Sequence, residues 1–408
     1  MDPAVAAVFA FVYLGMIWGK YPGLALDRTG IALLGAIALL ALGRISPEQA
    51  WQAVDIATIS LLLGLMVVSA QFRLGGFYGR LTRRIASVDA SPPALIALVI
   101  GAVGLLSSLL VNDIVCLAVA PLLVEGCARR GLDPVPFLLA LACASNVGSA
   151  ATIIGNPQNI LIGQTLGLSF SRYLLDSLVP TVLGLAAVWL VLCLYARGRW
   201  HKEAPTPKVK APAFSAWQTA KGLSVLAAVV LAFLFAPWPR GVVALAAAGV
   251  LLMSRQMASR TMLGLVDWHL LLLFAGLFVV NRVLETSGVL AWMMGGIASS
   301  GVDLAAPVWL FPATAVLSNL VSNVPAVMLL LPVASHAQAG PILALSSTFA
   351  GNLLIVGSIA NIIVVEQAAR LGVRITWAEH AKVGIPVTLL TLAIAAAWLW
   401  LRAQGLLG

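Results

Sequence analysis

The sequence predicts an all-α polytopic membrane protein built as an inverted repeat. Each half is predicted to contain five spans, one of them a broken helix, and one re-entrant hairpin. Three observations predict this fold class: the composition, the placement of basic residues, and motifs that recur in the two halves. Of the 408 residues, 61% are hydrophobic and only 10% are charged, whereas soluble domains carry about 25% charged residues. The chain is therefore expected to lie in a membrane.

The apolar segments divide into ten spans and two hairpins, because a bilayer span needs roughly 20 mostly apolar residues. The predicted spans are residues 4–19, 24–42, 55–72, 136–166, 176–196, 219–236, 240–253, 267–281, 341–366 and 382–402. Those at 136–166 and 341–366 are predicted to be broken helices. Segments 93–125 and 305–337 are interrupted by polar residues and are predicted to be re-entrant hairpins. No basic segment precedes the first span, so we expect that span to be retained.

The basic residues predict a topology with both termini outside the cell. Arginines lie on both flanks of the first predicted hairpin, which places these flanks in the cytoplasm under the positive-inside rule. Extended along the chain, this topology puts 19 of the 24 lysines and arginines on the cytoplasmic side. The net charge of +9 is thereby explained without nucleic acid. We expect a protein of the inner (cytoplasmic) membrane, whose partners are lipid and a small-molecule substrate.

Matching motifs predict the inverted repeat. Asp55 and Gly64 recur 212 positions later as Asp267 and Gly276. Residues 145–146 are paired with 351–352, and residues 155–159 with 357–361, where the offset is 202. The predicted units are a first repeat (1–196), a basic cytoplasmic linker (197–218) and a second repeat (219–408). The linker is interpreted as a solvated segment, with a lipid-binding patch as the alternative. Five spans is an odd number, so the second half enters from the opposite face, an arrangement typical of secondary transporters and also found in channels.

The tip of the first hairpin contains Asn112 and Asp113. The Asn112 amide can ligate a cation or donate to an oxyanion. Asp113 is the one carboxylate predicted to lie far from a membrane face, where a charge costs at least about 2.5 to 3.5 kcal/mol. Asp113 is therefore a candidate for Na+ binding or proton transfer. Capping of the adjoining half-helix is the alternative role.

The tip of the second hairpin contains Ser322 and Asn323, without an acid. Two half-helices that start at opposed tips would direct their positive dipole ends toward the membrane midplane. Such an arrangement would attract an anion without a buried lysine or arginine.

The predicted breaks lie at Gly155-Asn156-Pro157 and at Gly357-Ser358. Proline cannot continue a helix, and the carbonyls that it frees are candidate cation ligands. A simple kink in a packing helix is the alternative. The candidate substrate-binding residues are Asn112, Asp113, Asn156, Pro157, Ser322, Asn323 and Ser358. The candidate Na+ ligands are Asn112, Asp113, Asn146, Gly155, Asn323 and Gly357.

Motifs of enzymes and ATP-driven pumps are missing from the sequence, which has no HExxH, GxSxG, Walker A or CxxC pattern. We therefore expect a transporter that is not an enzyme and has no cofactor other than Na+ or H+ as the coupling ion.

Four blocks of the sequence resemble the conserved blocks of the ion transporter superfamily: Leu110–Pro121, Ala144–Ile162, Leu317–Pro332 and Ala350–Gln367. This superfamily includes divalent anion–sodium symporters, citrate carriers, arsenite permeases and one class of Na+/H+ antiporter. The resemblance implies a homodimer with a scaffold domain and an elevator-like transport domain.

The resemblance also implies roles for single residues. Asn112 and Asn323 match the tip asparagines that contact substrate and shape the cation sites, and the residues of the two breaks match the unwound loops. The dicarboxylate symporters have Ser-Asn-Thr at both tips, whereas this chain has Val-Asn-Asp and Ser-Asn-Val. An Asn-Asp tip is more similar to the arsenite and citrate-type branches. The sequence thus predicts Na+- or H+-coupled transport of a small anion or oxyanion, with a Na+/H+ antiporter and an anion channel as alternatives.

Overall fold

The computed structural model describes residues 2–19, 21, 23–202, 205–207, 209 and 212–405, and within these the chain is helical, with no β-strand. The prediction of an all-α protein is confirmed. The first half contains α1 (Pro3–Trp18), α2 (Arg28–Ala41), α3 (Pro47–Ala53), α4 (Ile56–Leu74), α5 (Phe77–Ala86), α6 (Pro92–Leu109), α7 (Asn112–Arg129), α8 (Pro134–Ser149), α9 (Pro157–Thr165) and α10 (Phe170–Tyr195). Lys20, Lys208 and Lys210, which contribute to the topology prediction, lie outside the described residues.

The second half also contains ten α-helices among the described residues. It contains α11 (Ala216–Phe235), α12 (Arg240–Leu252), α13 (Ser259–Leu263), α14 (Trp268–Thr286), α15 (Val289–Ser299), α16 (Pro307–Val321), α17 (Asn323–Leu330), α18 (Ala339–Ala350), α19 (Ile359–Arg370) and α20 (Trp377–Ala403). Short 3-10 turns follow α17 (Leu331–Val333) and precede α19 (Ile355–Gly357).

Six helices in the described part of the chain are long and apolar enough to cross a membrane: α4, α6, α10, α11, α14 and α20. Other predicted spans coincide with shorter apolar helices, such as α1 with 16 residues, α2 with 14 and α12 with 13. Because α6 belongs to the first predicted hairpin, its length does not by itself distinguish a span from half of a hairpin. The count of ten spans stays a prediction.

The matched aspartates begin matched helices. Asp55 lies at the N-cap of α4, where its carboxylate accepts hydrogen bonds from the backbone N–H of Ala57 (2.9 Å) and Thr58 (3.2 Å). Asp267 caps α14 in the same way, accepting from the Leu270 N–H at 3.0 Å. A side-chain oxygen at this position satisfies amides that have no partner within the helix.

The matched glycines allow helices to pack backbone to backbone. A methyl group on Gly64 of α4 would collide with the backbone of Ala244 in α12, and one on Gly276 of α14 would collide with the backbone of Ala32 in α2. Ala32 and Ala244 are themselves 212 positions apart. Small residues at such crossings let membrane helices approach closely. The two helix pairs α4–α12 and α14–α2 are thus built on one pattern.

Four short helices were not predicted from the sequence: α3, α5, α13 and α15. Helices α5 and α15 connect α4 and α14 to the segments that contain the two tips, and both follow a left-handed glycine, Gly76 (φ 69°) and Gly288 (φ 75°). These helices have 10 and 11 residues, too few to be recognised as spans.

Helix ends fall at the predicted tips and breaks. Only Leu110 and Val111 separate α6 from α7, and only Ser322 separates α16 from α17. Residues 150–156 lie between α8 and α9, and residues 351–358 between α18 and α19.

Candidate functional site

Most of the candidate substrate-binding residues line one small cavity of about 30 Å³, room for about one water-sized molecule. Its walls are formed by Asn112, Asp113, Asn146, Ser149, Pro157, Gln158, Leu270, Ser322, Asn323, Val324, Ser358 and Ile359. Asn156, Gly155 and Gly357 lie outside this lining. The cavity therefore brings together both tips, both breaks and one residue of α14.

Four helices start at the cavity wall. Asn112, Pro157, Asn323 and Ile359 are the first residues of α7, α9, α17 and α19. The N-terminus of a helix carries a partial positive charge. The sequence predicts two such ends, at the tips, and the structure places four around the same space.

These four helix starts differ in their caps. Asn156 caps α9 by accepting from the Asn159 N–H at 2.9 Å, and Ser358 caps α19 by accepting from the Ala360 N–H at 3.2 Å. At α7 and α17, no described side chain makes a cap hydrogen bond. The backbone amides at the two tips are therefore the ones available to a ligand.

The first tip has unused hydrogen-bonding capacity. Asp113 is the second residue of α7 and forms no hydrogen bond or ion pair with any described residue, so it does not cap this helix, whose N-cap is Val111. The side-chain oxygen of Asn112 is buried without a partner in the described part of the chain. The backbone carbonyl of Asn112 accepts from the Ser145 hydroxyl at 3.4 Å. A carboxylate and a free amide oxygen thus adjoin the cavity.

The second tip is, by contrast, held by its neighbours. When its amide is oriented to satisfy the surrounding groups, Asn323 donates to the carbonyls of Ser347 (3.3 Å) and Gly357 (3.2 Å) and accepts from Gln158 Nε2 at 3.0 Å. Ser322 has φ 77° and ψ 159°, and no other non-glycine residue of the described chain has a positive φ. This backbone region is nearly restricted to glycine, so the tip stores strain.

An amide cluster joins α8 to the second break. Asn146 of α8 donates to the side-chain oxygens of Asn352 (2.9 Å) and Asn361 (3.0 Å) and accepts from the Ser358 hydroxyl at 2.8 Å. All four residues are buried. Asn146 therefore contributes to helix contacts as well as to the cavity wall, and its role as a Na+ ligand stays a prediction.

Each of the two breaks is stabilised by its own asparagine, and the two asparagines make equivalent contacts. Asn159 donates to the carbonyls of Ser149 (3.4 Å) and Thr152 (3.2 Å). Asn361 donates to the carbonyls of Gly351 (2.8 Å) and Leu354 (3.1 Å). Each asparagine reaches back to carbonyls that have no partner in the preceding helix.

These contacts correct one pairing made from the sequence. The asparagine donors at the two breaks are 202 positions apart, and so are the carbonyls that accept from them. The same offset makes Thr348 the counterpart of Asn146 and Ala150 that of Asn352. The pairing of residues 145–146 with 351–352 is wrong, because it requires an offset of 206 where the matched contacts of the two breaks have 202.

The glycines of the breaks are tightly packed. A side chain on Gly155 would collide with the backbone carbonyls of Ser107 and Ser149, and one on Gly357 would meet the side-chain oxygen of Asn319. The Gly357 carbonyl also faces the Asn323 amide. Close packing thus explains why glycine occupies both positions. Their role as cation ligands stays a prediction.

Gln158, Thr348 and Leu270 are site residues that were not among the candidates. Gln158 links the first break to the second tip, and its position two residues after Asn156 in the same motif could have revealed it. Thr348 accepts from the amides of Asn156 (3.2 Å) and Gln158 (3.3 Å). Leu270 is an apolar residue within an apolar segment, so nothing in the sequence distinguishes it as a site residue.

The electrostatics of the cavity come from helix ends and a single acid. No lysine, arginine or histidine is among the residues that line it. No group of three or more His, Cys, Asp or Glu side chains suited to a metal ion occurs in the described residues.

Comparisons with known proteins agree with this architecture. The family model of the citrate transporter, CitMHS, matches residues 13–350. The uncharacterized transporter Rv2685 of Mycobacterium tuberculosis is 30% identical over 406 residues, which cover 92% of this chain and 94% of the relative. The silicon efflux transporter LSI3 of Oryza sativa subsp. japonica is 28% identical over 469 residues, with coverage of 95% and 96%.

The crystal structure of the YdaH transporter of Alcanivorax borkumensis has a similar fold, with a TM-score of 0.61, 15% identity and coverage of 98% of both chains. The resemblance to the ion transporter superfamily is thus confirmed, and the relatives are transporters rather than enzymes. This chain belongs to the citrate transporter family of that superfamily and is a secondary transporter embedded in a membrane.

Proposed function

We propose that this protein carries a small oxyanion, or its undissociated acid, across the cytoplasmic membrane in exchange or symport with H+, and that Asp113 carries the proton. The observation that carries the proposal is the convergence of four helix N-termini and one carboxylate on a cavity without a basic residue. Helix ends attract anionic oxygens, and a carboxylate at this depth can exchange a proton with the site.

The size and charge of the cavity favour a small substrate. A space of about 30 Å³ does not hold a tricarboxylate in this conformation. Arginine or lysine commonly pairs with carboxylates, and neither lines the cavity. An arsenite-like or silicate-like oxyacid is smaller than a tricarboxylate and needs no basic partner, so it requires less widening of the cavity, and the relative LSI3 is named for silicon efflux.

The inverted repeat belongs to the same proposal, with units at 1–196 and 219–408 joined by the linker 197–218. The helix order α1–α10 and α11–α20, the paired caps of α4 and α14, and the matched contacts of the two breaks support it. The proposed topology has both termini outside, re-entrant hairpins at α6–α7 and α16–α17, and broken spans at α8–α9 and α18–α19. We propose a homodimer, as the family resemblance implies.

Elevator-type movement would let the site reach both faces. The cavity wall includes Leu270, in the first turn of α14, whose counterpart on α4 is Thr58. A second cavity, of about 700 Å³, is lined by residues of α3, α9, α14 and α17 on the proposed outer side. This space leaves room for the tips to move toward Thr58. We therefore propose that the described conformation is the inward-facing one.

The experiment is uptake into proteoliposomes with imposed Na+ or H+ gradients, with internal pH followed by a dye. The substrates are arsenite, silicate, phosphate, sulfate, succinate and citrate. We expect accumulation of arsenite or silicate driven by the pH gradient, abolished in Asp113→Asn and retained in Asp303→Asn, a control acid in the loop before α16. Proton movement on adding Na+ without anion uptake would replace the proposal with a Na+/H+ antiporter. An ohmic current without a driving ion would replace it with a channel.

A further inference from the structure

Three arginines lie on one face of α5. Arg80, Arg83 and Arg84 are followed by Ser87, and this spacing of three, four and seven residues places all four on one side of a helix. All four side chains are exposed, whereas Tyr78, Gly79 and Thr82 on the other side of α5 are buried against the protein. The helix therefore presents a concentrated positive surface.

These side chains line a pocket of about 390 Å³ whose opposite wall is the end of the linker, at Pro212 and Phe214. The Arg80 guanidinium lies 5.4 Å from the centre of the Phe214 ring, a distance that allows cation–π attraction. The pocket is therefore walled on one side by a helix and on the other by the linker.

The linker end is fixed against the start of α5. Gly76 has φ 69°, and a side chain there would collide with the backbone carbonyls of Pro212 and Ala213. The Ser215 N–H donates to the Gly75 carbonyl at 3.0 Å. Two backbone contacts thus hold the walls of the pocket in place.

Neither helix stability nor the repeat explains this cluster. Like charges three and four residues apart are unfavourable in a helix, and the four ion pairs found among the described residues do not involve these arginines. In the matching helix α15, the positions of Arg80, Arg83 and Arg84 are occupied by Trp292, Gly295 and Gly296. The positive-inside rule explains basic residues on the predicted cytoplasmic face, but not their convergence on one pocket.

We propose that Arg80, Arg83 and Arg84 form a binding site for the phosphate group of an anionic phospholipid. Guanidinium groups match phosphate oxygens with two parallel hydrogen bonds. Basic pockets at the cytoplasmic ends of membrane helices bind acidic headgroups. Helix α5 joins the end of α4 to the start of α6, and both of these helices are apolar, so we expect the pocket to lie at headgroup level. This site is separate from the transport cavity.

The test is native mass spectrometry of the purified, delipidated full chain, titrated with phosphatidylglycerol or phosphatidylcholine and, in a separate arm, with inorganic phosphate as competitor. We expect phosphatidylglycerol to bind more tightly than phosphatidylcholine. The variant Arg80→Gln/Arg83→Gln/Arg84→Gln should weaken phosphatidylglycerol binding on the order of tenfold or more. The control Arg255→Gln/Arg260→Gln/Arg374→Gln removes the same charge from exposed positions on the same predicted face and should bind like the wild type.

Equal binding of phosphatidylglycerol by both triple variants would overturn the site. If inorganic phosphate binds and phosphatidylglycerol does not displace it, the ligand of this site is not the lipid. If the α5 triple variant does not elute as a folded protein on size exclusion, Arg83→Gln alone replaces it, and that change should still weaken phosphatidylglycerol binding more than Arg255→Gln does.

Discussion

The two tips occupy matching places in the halves of the molecule but differ in how much of their hydrogen-bonding capacity is used. At the first tip, the Asn112 side-chain oxygen has no partner among the described residues and Asp113 forms no ion pair with them. At the second tip, the Asn323 amide contacts groups from α9, α18 and the second break, and Ser322 has a strained backbone. The first tip keeps hydrogen-bonding groups that are available to a ligand, whereas those of the second tip are bonded to neighbouring elements.

This difference shows how the two halves of an inverted repeat can have different roles. Both tips contribute a helix N-terminus to the cavity. Only the first adds a carboxylate, so coupling is proposed to depend on one half and the architecture of the site on the other. Four experiments test this difference.

Asp113→Asn is expected to have the largest effect. The amide keeps the size of the side chain but cannot exchange a proton at neutral pH. Transport should lose its dependence on the pH gradient while the thermal midpoint of unfolding stays close to that of the wild type. Uptake assays at several imposed gradients would measure this. Unchanged coupling would remove Asp113 from the mechanism.

Val324→Asp places an acid at the position that matches Asp113. Val324 is 6% exposed, and an unpaired carboxylate at this depth costs about 2.5 to 3.5 kcal/mol. The double variant Asp113→Val/Val324→Asp should therefore be less stable and remain uncoupled. Restored coupling in that double variant would show that the tips are interchangeable.

Asn323→Ala and Asn112→Ala form a matched pair for stability. Loss of the Asn323 amide leaves several buried groups without partners and should cost about 3 kcal/mol, whereas loss of the Asn112 side chain should cost less than about 1 kcal/mol. Thermal unfolding of the two purified variants in detergent would compare them. Equal destabilisation by the two substitutions would contradict the proposed difference between the first and the second tip.

Ser322→Gly should have the smallest effect. Glycine adopts φ 77° without the steric penalty that serine has, and relief of this strain should stabilise the protein by about 1 kcal/mol. The thermal midpoint should rise slightly, with Ser335→Gly in the loop after α17 as an exposed control. A lower midpoint for Ser322→Gly would show that the serine hydroxyl outweighs the backbone strain.

Much of the architecture could be predicted from the sequence because membrane helices have strong local signals. Proline, glycine and asparagine interrupt apolar runs at the tips and breaks, and the helix ends lie there. The short helices α5 and α15 could not be predicted in this way, since neither is long enough to span. The pairing of Asn146 with Asn352 was misassigned because similarity in sequence does not distinguish equivalent positions from contacting ones.

By itself, the sequence determined the membrane environment, the all-helical fold class and the polar residues available for a site, since these follow from composition and local backbone chemistry. Only the tertiary structure decided that Asn323 bonds to Gln158, that Leu270 lines the cavity, and that Arg80 of α5 lies over the Phe214 ring of the linker. Each of these contacts joins residues far apart in the chain. Their geometry depends on how the helices pack against one another, and no local pattern in the sequence encodes it.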